Sequence, residues 1–354
     1  MSFISDEKLF SHNERVKGKV VIITGAANGI GKETALRFGQ YGAKVVIGDV
    51  NLAGAQETVF AIKAKGGSAL ALRCDVTKWD DQVALFELAE KEFGAVDVVV
   101  PNAGVSEMGG FHIPKLNEAG KPARPTNMKT LDVNLTGALY TIQLALHYLH
   151  APAKAEPGTL KAIILIGSMA SWMSIPGGAL YTASKHAMLG VMRSLSGTLP
   201  SSVRIGCIHP FFADTSILSI PVKLFLAGIP LTKVERVAGA IFYAATDPDA
   251  STNGSSWLLA DDGEVFCVPK EEFKFGVYGM LDQRVNSIKN AAKGVGWWIT
   301  YIRDVNRILG RPLLKAGIPV VAASVAWCYR SSIQSVIVSA LQWYKQKGVD
   351  KRLP

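Results

Sequence analysis

Short β-branched apolar runs recur along the first two-thirds of the chain, most of them followed by a stretch of helical period. The runs at 19–24 (KVVIIT), 44–48, 69–73, 96–100, 160–167 and 203–209 are almost wholly apolar. Such runs mark strands buried on both faces of a parallel sheet. Helical periods are expected over 32–41, 79–93, about 129–150 and the stretch that holds Tyr181 and Lys185. Thr77 can cap the second of these, with Asp80 and Asp81 in its first turn. The alternation predicts an α/β fold, a doubly wound parallel sheet of about seven strands whose last strand falls within 251–266.

Flanking segments break the pattern. Residues 1–17 read as a loose arm or short flanking helix, 18–266 as the catalytic domain and 267–354 as a helical extension. Within the extension, Val285, Ile288, Ala292, Val295, Ile299, Ile302 and Leu309 recur mostly at three- and four-residue steps, an amphipathic helix with Gly294 and Gly296 as kink points. The apolar run 317–329 stops at Arg330 after 13 residues, short of the roughly 20 that a simple membrane span needs.

Charge sharpens this division. Of 38 Lys and Arg and 29 Asp and Glu, residues 267–354 hold 14 and 5, whereas residues 1–266 hold 24 of each. The formal charge of +9 therefore belongs to the extension. Two readings of it stay open: packing on the catalytic domain or across a homo-oligomer interface, or contact of 282–354 with a membrane surface through Trp297, Trp298, Trp327, Trp343 and the terminal Lys345, Lys347, Lys351 and Arg352. Nucleic acid is not an expected partner, because apolar residues dilute the basic ones. The four cysteines (Cys74, Cys207, Cys267, Cys328) show no metal-ligand spacing, so no metal is expected, and reduced, buried thiols are. The first 20 residues lack an apolar signal core, which points to an intracellular, cytoplasmic protein, attached to a membrane's cytosolic face if the extension anchors it.

Candidate chemistry gathers where the strands end. The first run enters Thr24-Gly25-Ala26-Ala27-Asn28-Gly29-Ile30-Gly31 and then a helix, an arrangement in which glycines allow close approach and the helix N-terminus offers N–H groups to a pyrophosphate. Asp49 ends the second run, 18 residues beyond Gly31, where an acid can accept from both ribose hydroxyls of NAD and would repel a 2′-phosphate. No Arg or Lys immediately follows it, which favours NAD over NADP. Later runs deliver Asn102-Ala103-Gly104, Ser168 and Pro210 to the same edge of the sheet. Tyr181 and Lys185, four apart, share a helix face. A nearby ammonium would lower the phenol pKa and suit it to general acid/base work.

These motifs resemble those of the short-chain dehydrogenase/reductase family over roughly residues 15–266. The turn at 24–31 is similar to its TGxxxGxG, Asp75, with Val76 beside it, to the acid that contacts the adenine, and 102–104 to its NAG. Asn134, Ser168, Tyr181 and Lys185 fall where the family keeps its catalytic Asn, Ser, Tyr and Lys, with Tyr at the usual spacing of 13 positions beyond Ser. The resemblance implies a Rossmann-type fold with Tyr181 as general acid/base and Ser168 positioning the substrate oxygen. It further implies Lys185 on the nicotinamide ribose, Asn134 holding a relay water, and Thr215 at the carboxamide. One departure is Phe211, where the family's PGxxxT has Gly.

Residues 216–232 (SILSIPVKLFLAGIPLT) occupy the family's lid position with no acid and one Lys. They suit a bulky lipophilic substrate or, alternatively, packing against the body; Trp172 and Met173 add apolar surface. The expected function is an NAD-dependent dehydrogenase interconverting a secondary alcohol and a ketone on a polyketide, terpenoid, steroid or lipid-like substrate. The alternatives are an NADPH-dependent ketoreductase and a non-catalytic nucleotide-binding scaffold.

Overall fold

The computed structural model describes residues 2–273, apart from 109, 112, 124–126, 151–158, 201, 216, 217, 219–221, 224, 225, 261 and 262. The amphipathic segment, the apolar run and the membrane or subunit contacts expected of 282–354 lie outside these residues.

Nine described strands form one sheet: β1 Ser2–Ile4, β2 Val20–Thr24, β3 Lys44–Asp49, β4 Ser68–Arg73, β5 Val98–Val100, β6 Ala162–Ile166, β7 Arg204–Pro210, β8 Ser256–Leu259 and β9 Val265–Val268. Their order is β1-β9-β8-β7-β6-β5-β2-β3-β4. The seven from β4 to β8 are mutually parallel, as the apolar runs require. Two strands add to the expected seven: β9, antiparallel to β8, and beyond it β1, antiparallel to β9, at the sheet's edge. Both are too short for the period-two alternation that reveals a strand.

The described α-helices are α1 Gly29–Gln40, α2 Leu52–Ala64, α3 Trp79–Phe93, the short α4 Lys129–Leu131, α5 Ala138–His150, α6 Ala179–Ser196 and α7 Val234–Thr246; near the site there are also a π-turn at Asp132–Gly137 and a 3₁₀ turn at Met169–Ser171. Alternate strand residues feed two cores. Val21, Ile23, Val98 and Val100 pack with α1, α2 and α7, whereas Val20, Ile22 and Val99 pack with α3, α5 and α6. Each fully buried Val or Ile contributes about 1.5–3 kcal/mol, so a strand apolar on both faces is held centrally in the sheet. The ends of β2, β3, β5, β6 and β7 come out along one edge, as parallel register dictates.

The N-terminal segment is docked: β1 pairs with β9, Leu9 and Val16 are buried, and Asp6 bonds Arg236 of α7 at 2.8 Å. At the opposite end of the central strands, the buried Asp97 carboxylate accepts from the Val20 N–H (2.9 Å) and pairs with Lys161 (3.1 Å). Asp97→Ala would leave the largely enclosed Lys161 ammonium with the Val96 carbonyl alone among the described residues and take the acceptor from Val20 N–H, so urea unfolding should show a loss of about 3 kcal/mol. A loss below ~1 kcal/mol would mean that the pair contributes little.

Candidate active site

The glycine turn is built by close approach. Gly25 adopts φ +69°, and a Cβ on it would lie 2.6 Å from the Ala103 Cα. At Gly31 a Cβ would meet the Gly25 oxygen at 2.3 Å and Asn102 Nδ2 at 2.4 Å. Asn102 locks the turn by donating from Nδ2 to the Thr24 and Gly25 carbonyls, 2.9 Å each. The Thr24 hydroxyl accepts from the Asn102 and Ala103 N–H groups, 3.1 Å each. The first N–H groups of α1 have no intrahelical partner by geometry, which is what a helix N-terminus offers to a diphosphate. Thr215 packs on Gly29, its Cγ2 3.3 Å from where a Cβ would stand. Phe211 does not disturb the path leading there. Its N–H donates to the Leu259 carbonyl at 2.8 Å and prolongs the β7–β8 ladder.

Asp49 is buried at the tip of β3. One carboxylate oxygen accepts from Ala27 N–H (2.8 Å) and the other from Asn51 N–H (2.9 Å). A carboxylate has about four acceptor positions, so one on each oxygen is left for a ribose hydroxyl. Arg73, which sequence spacing did not flag, stands in register with Asp49 across β3–β4. Asp75 Oδ1 accepts from the Thr77 hydroxyl (2.8 Å) and N–H (3.1 Å). Partial burial opposes its charge, but those two bonds, with Lys78 and Arg73 nearby, hold its pKa below the usual carboxylate value. Val76 packs against Gly137 of the π-turn, and buried Gln82 ties both carbonyls together.

The helix expected over 129–150 is interrupted at Asn134 by that π-turn. Asn134 is buried; its Oδ1 accepts from Val105 N–H (2.7 Å) and its Nδ2 donates to the Val105 carbonyl (2.8 Å). Nδ2 also reaches Ser184 Oγ (3.4 Å), whose hydroxyl donates to the Tyr181 carbonyl. The side chain thus clamps the segment after Gly104 to α6. A π-turn at such a position is a frequent companion of functional sites.

Lys185 and Tyr181 share a face of α6, the ammonium 5.6 Å from the phenol ring centre. Lys185 is buried and donates to the Ile166 carbonyl at 2.9 Å, which fixes α6 against the end of β6, two residues before Ser168. Two of its three N–H donors remain for a ligand. Ser168 caps the 3₁₀ turn through its Oγ, which accepts from Ala170 N–H at 3.1 Å, leaving the hydroxyl proton to donate. The Tyr181 hydroxyl makes no hydrogen bond among the described residues.

Glu107 is a further member of the site that sequence reasoning missed. Its carboxylate accepts from Tyr181 N–H at 2.8 Å and caps α6, whose own N-cap, Gly178, has no side chain to do so. Only its place just beyond Asn102-Ala103-Gly104 hinted at it, since the contact is tertiary.

Comparison with known proteins matches this arrangement. The short chain dehydrogenase family model covers residues 19–220. Cyclohexanol dehydrogenase of Acinetobacter sp. is 30% identical over 259 residues, 72% of this chain and 97% of that one. Two solved structures superpose with a TM-score of 0.60 over 70% of this chain and 98% of theirs. They are a 3-ketoacyl-(acyl-carrier-protein) reductase of Brucella melitensis complexed with NADH (29% identical) and a short chain dehydrogenase of Burkholderia cenocepacia complexed with NADP (25%). The chain belongs to the short-chain dehydrogenase/reductase family. It is an oxidoreductase acting on CH–OH groups, with the family's NAD(P)-binding fold. No described helix is long and apolar enough to cross a membrane.

Proposed function

We propose that this protein is an NAD-dependent dehydrogenase that interconverts a secondary alcohol and a ketone on a lipophilic substrate. The observation that carries the cofactor preference is Asp49, a buried carboxylate whose two oxygens are each fixed by a backbone N–H at the rim of the glycine turn. Held there, its negative charge opposes a 2′-phosphate and leaves acceptors for two ribose hydroxyls. The bound nicotinamide supplies the hydride acceptor or donor. The chain's own residues handle the substrate oxygen: the Ser168 hydroxyl donates to it, and the Tyr181 phenol takes its proton in oxidation or returns it in reduction. Lys185 holds the face of α6 that carries the phenol.

Support for a lipophilic substrate comes from the loops beyond the strand ends. Phe111 and Ile113 after β5, Met173 after β6 and Ile229 after β7 are all exposed. Large apolar side chains gathered on the loops of one sheet edge fit a ligand with matching surface.

One observation favours NADPH instead. The Arg73 side chain is 60% exposed and stands opposite Asp49, held only by a loose 3.9 Å ion pair with Asp81. Titrating NADH and NADPH into wild type and Asp49→Ala decides between them. Wild type should prefer NADH by at least ~100-fold, since opposed like charges cost several kcal/mol, and Asp49→Ala should erase most of that margin. A wild type that prefers NADPH, with affinity lost in Arg73→Ala, would establish the second reading.

A further inference from the structure

Every polar group of Ser168 except its hydroxyl proton is occupied by the fold. Its N–H donates to Ser171 Oγ (3.2 Å), and its Oγ accepts from Ala170 N–H. Its carbonyl accepts from Ser171 N–H (2.8 Å) and, on the other lone pair, faces His209 Nδ1 at 3.2 Å. The first three partners are local to the 3₁₀ turn. His209 is different: it comes from the neighbouring strand β7, 41 residues away in sequence.

The imidazole is enclosed on every side, with no solvent exposure. It lies against Gly167, where a Cβ would come within 2.5 Å of Nδ1 and 2.8 Å of Cε1, so a side chain at 167 and this ring exclude each other. Trp172 meets it edge-to-face, ring centres 5.6 Å apart. A carbonyl only accepts, so the proton of the neutral ring sits on Nδ1. Nε2 is left as a buried acceptor without a partner among the described residues. Burial pushes the imidazolium pKa down to about 3, and Lys185 and Arg193 oppose the charge further, against the help of the Ser168 carbonyl. A ring kept neutral with one nitrogen unsatisfied contributes less stability than an apolar side chain of its size would, so packing alone does not explain it.

We propose that His209, as its Nδ1–H tautomer, is a positioning residue that fixes the Ser168 backbone from β7 and thereby aims the Ser168 hydroxyl at the substrate oxygen. The consequence for turnover rests on the dehydrogenase reading above. The tautomer does not.

The test compares the full-length wild type with His209→Ala, His209→Gln and His209→Asn. The Asn amide nitrogen can occupy the place of Nδ1, whereas the Gln amide reaches toward Nε2. Misaiming a positioned group by about 1 Å costs up to ~100-fold in rate. Ala and Gln should therefore lower kcat by ~10- to 100-fold, with NADH Kd within about twofold of wild type, and Asn should restore kcat to within about threefold. Equal kcat in Asn and Gln, or an unimpaired Ala variant, would overturn the proposal. The intact NADH affinity separates these results from misfolding. Nitrogen-15 spectra of histidine-labelled protein, with His209 assigned by its loss in the Asn variant, should show protonated Nδ1; protonated Nε2 would overturn the proposal whatever the kinetics. A wild type that turns over no alcohol would sink the dehydrogenase reading, and the spectrum would still decide the tautomer.

Discussion

Replacing Tyr181 by Phe should lower kcat by ~10²- to 10⁴-fold, the usual range for losing a positioned acid/base group. The same variant should fold as well as wild type. Its phenol oxygen has no hydrogen-bond partner among the described residues, so no bond is broken and no buried group is orphaned. NADH affinity should stay within about threefold, because the glycine turn, Asp49 and the Lys185–Ile166 bond are untouched. The pairing of a large kinetic loss with intact binding and stability is what separates a proton-transfer role from a packing role. A variant with more than ~10% of wild-type kcat would exclude the phenol as the acid/base.

Gly31→Ala should act in the opposite manner, on binding before rate. The added methyl would stand 2.3 Å from the Gly25 oxygen and 2.4 Å from Asn102 Nδ2, the two atoms joined by the bond that closes the turn. Neither can move alone: Asn102 also holds the Thr24 carbonyl, and Gly25 sits against Ala103. Overpacking of this kind costs ~1–3 kcal/mol. If that strain falls on the turn that receives the cofactor, NADH affinity drops by ~10- to 100-fold. Calorimetric titration checks this, and an affinity within threefold of wild type would show that the turn relaxes freely.

How much of this was legible in the sequence depended on where each residue's partners lie. β2, β6 and β7 could be read directly because strands buried on both faces must be apolar almost throughout, as Val20–Thr24 and Ala162–Ile166 are. Tyr181 and Lys185 were legible because a four-residue helix step fixes their shared face. β1 and β9 were not, since three or four residues at a sheet edge carry no pattern of their own. Nor was the π-turn: Asn134 is pulled out of helical register by its two bonds to Val105, contacts across 29 residues. Glu107, Arg73 and His209 share that reason. Each matters through a neighbour brought to it by sheet register or a loop path, and no local spacing records such a neighbour.

The central claim is that the glycine turn, Asp49 and the Ser168–Tyr181–Lys185 group together run NAD-linked alcohol oxidation. The most direct test is nicotinamide absorbance during incubation of full-length protein with NAD or NADP and a panel of secondary alcohols graded from hydrophilic to lipophilic, with Tyr181→Phe as control. The account predicts reduction of NAD, rising with the lipophilicity of the alcohol and abolished in the control. Turnover that runs only with NADP would contradict the role given to Asp49, and turnover that persists in Tyr181→Phe would contradict the chemistry itself.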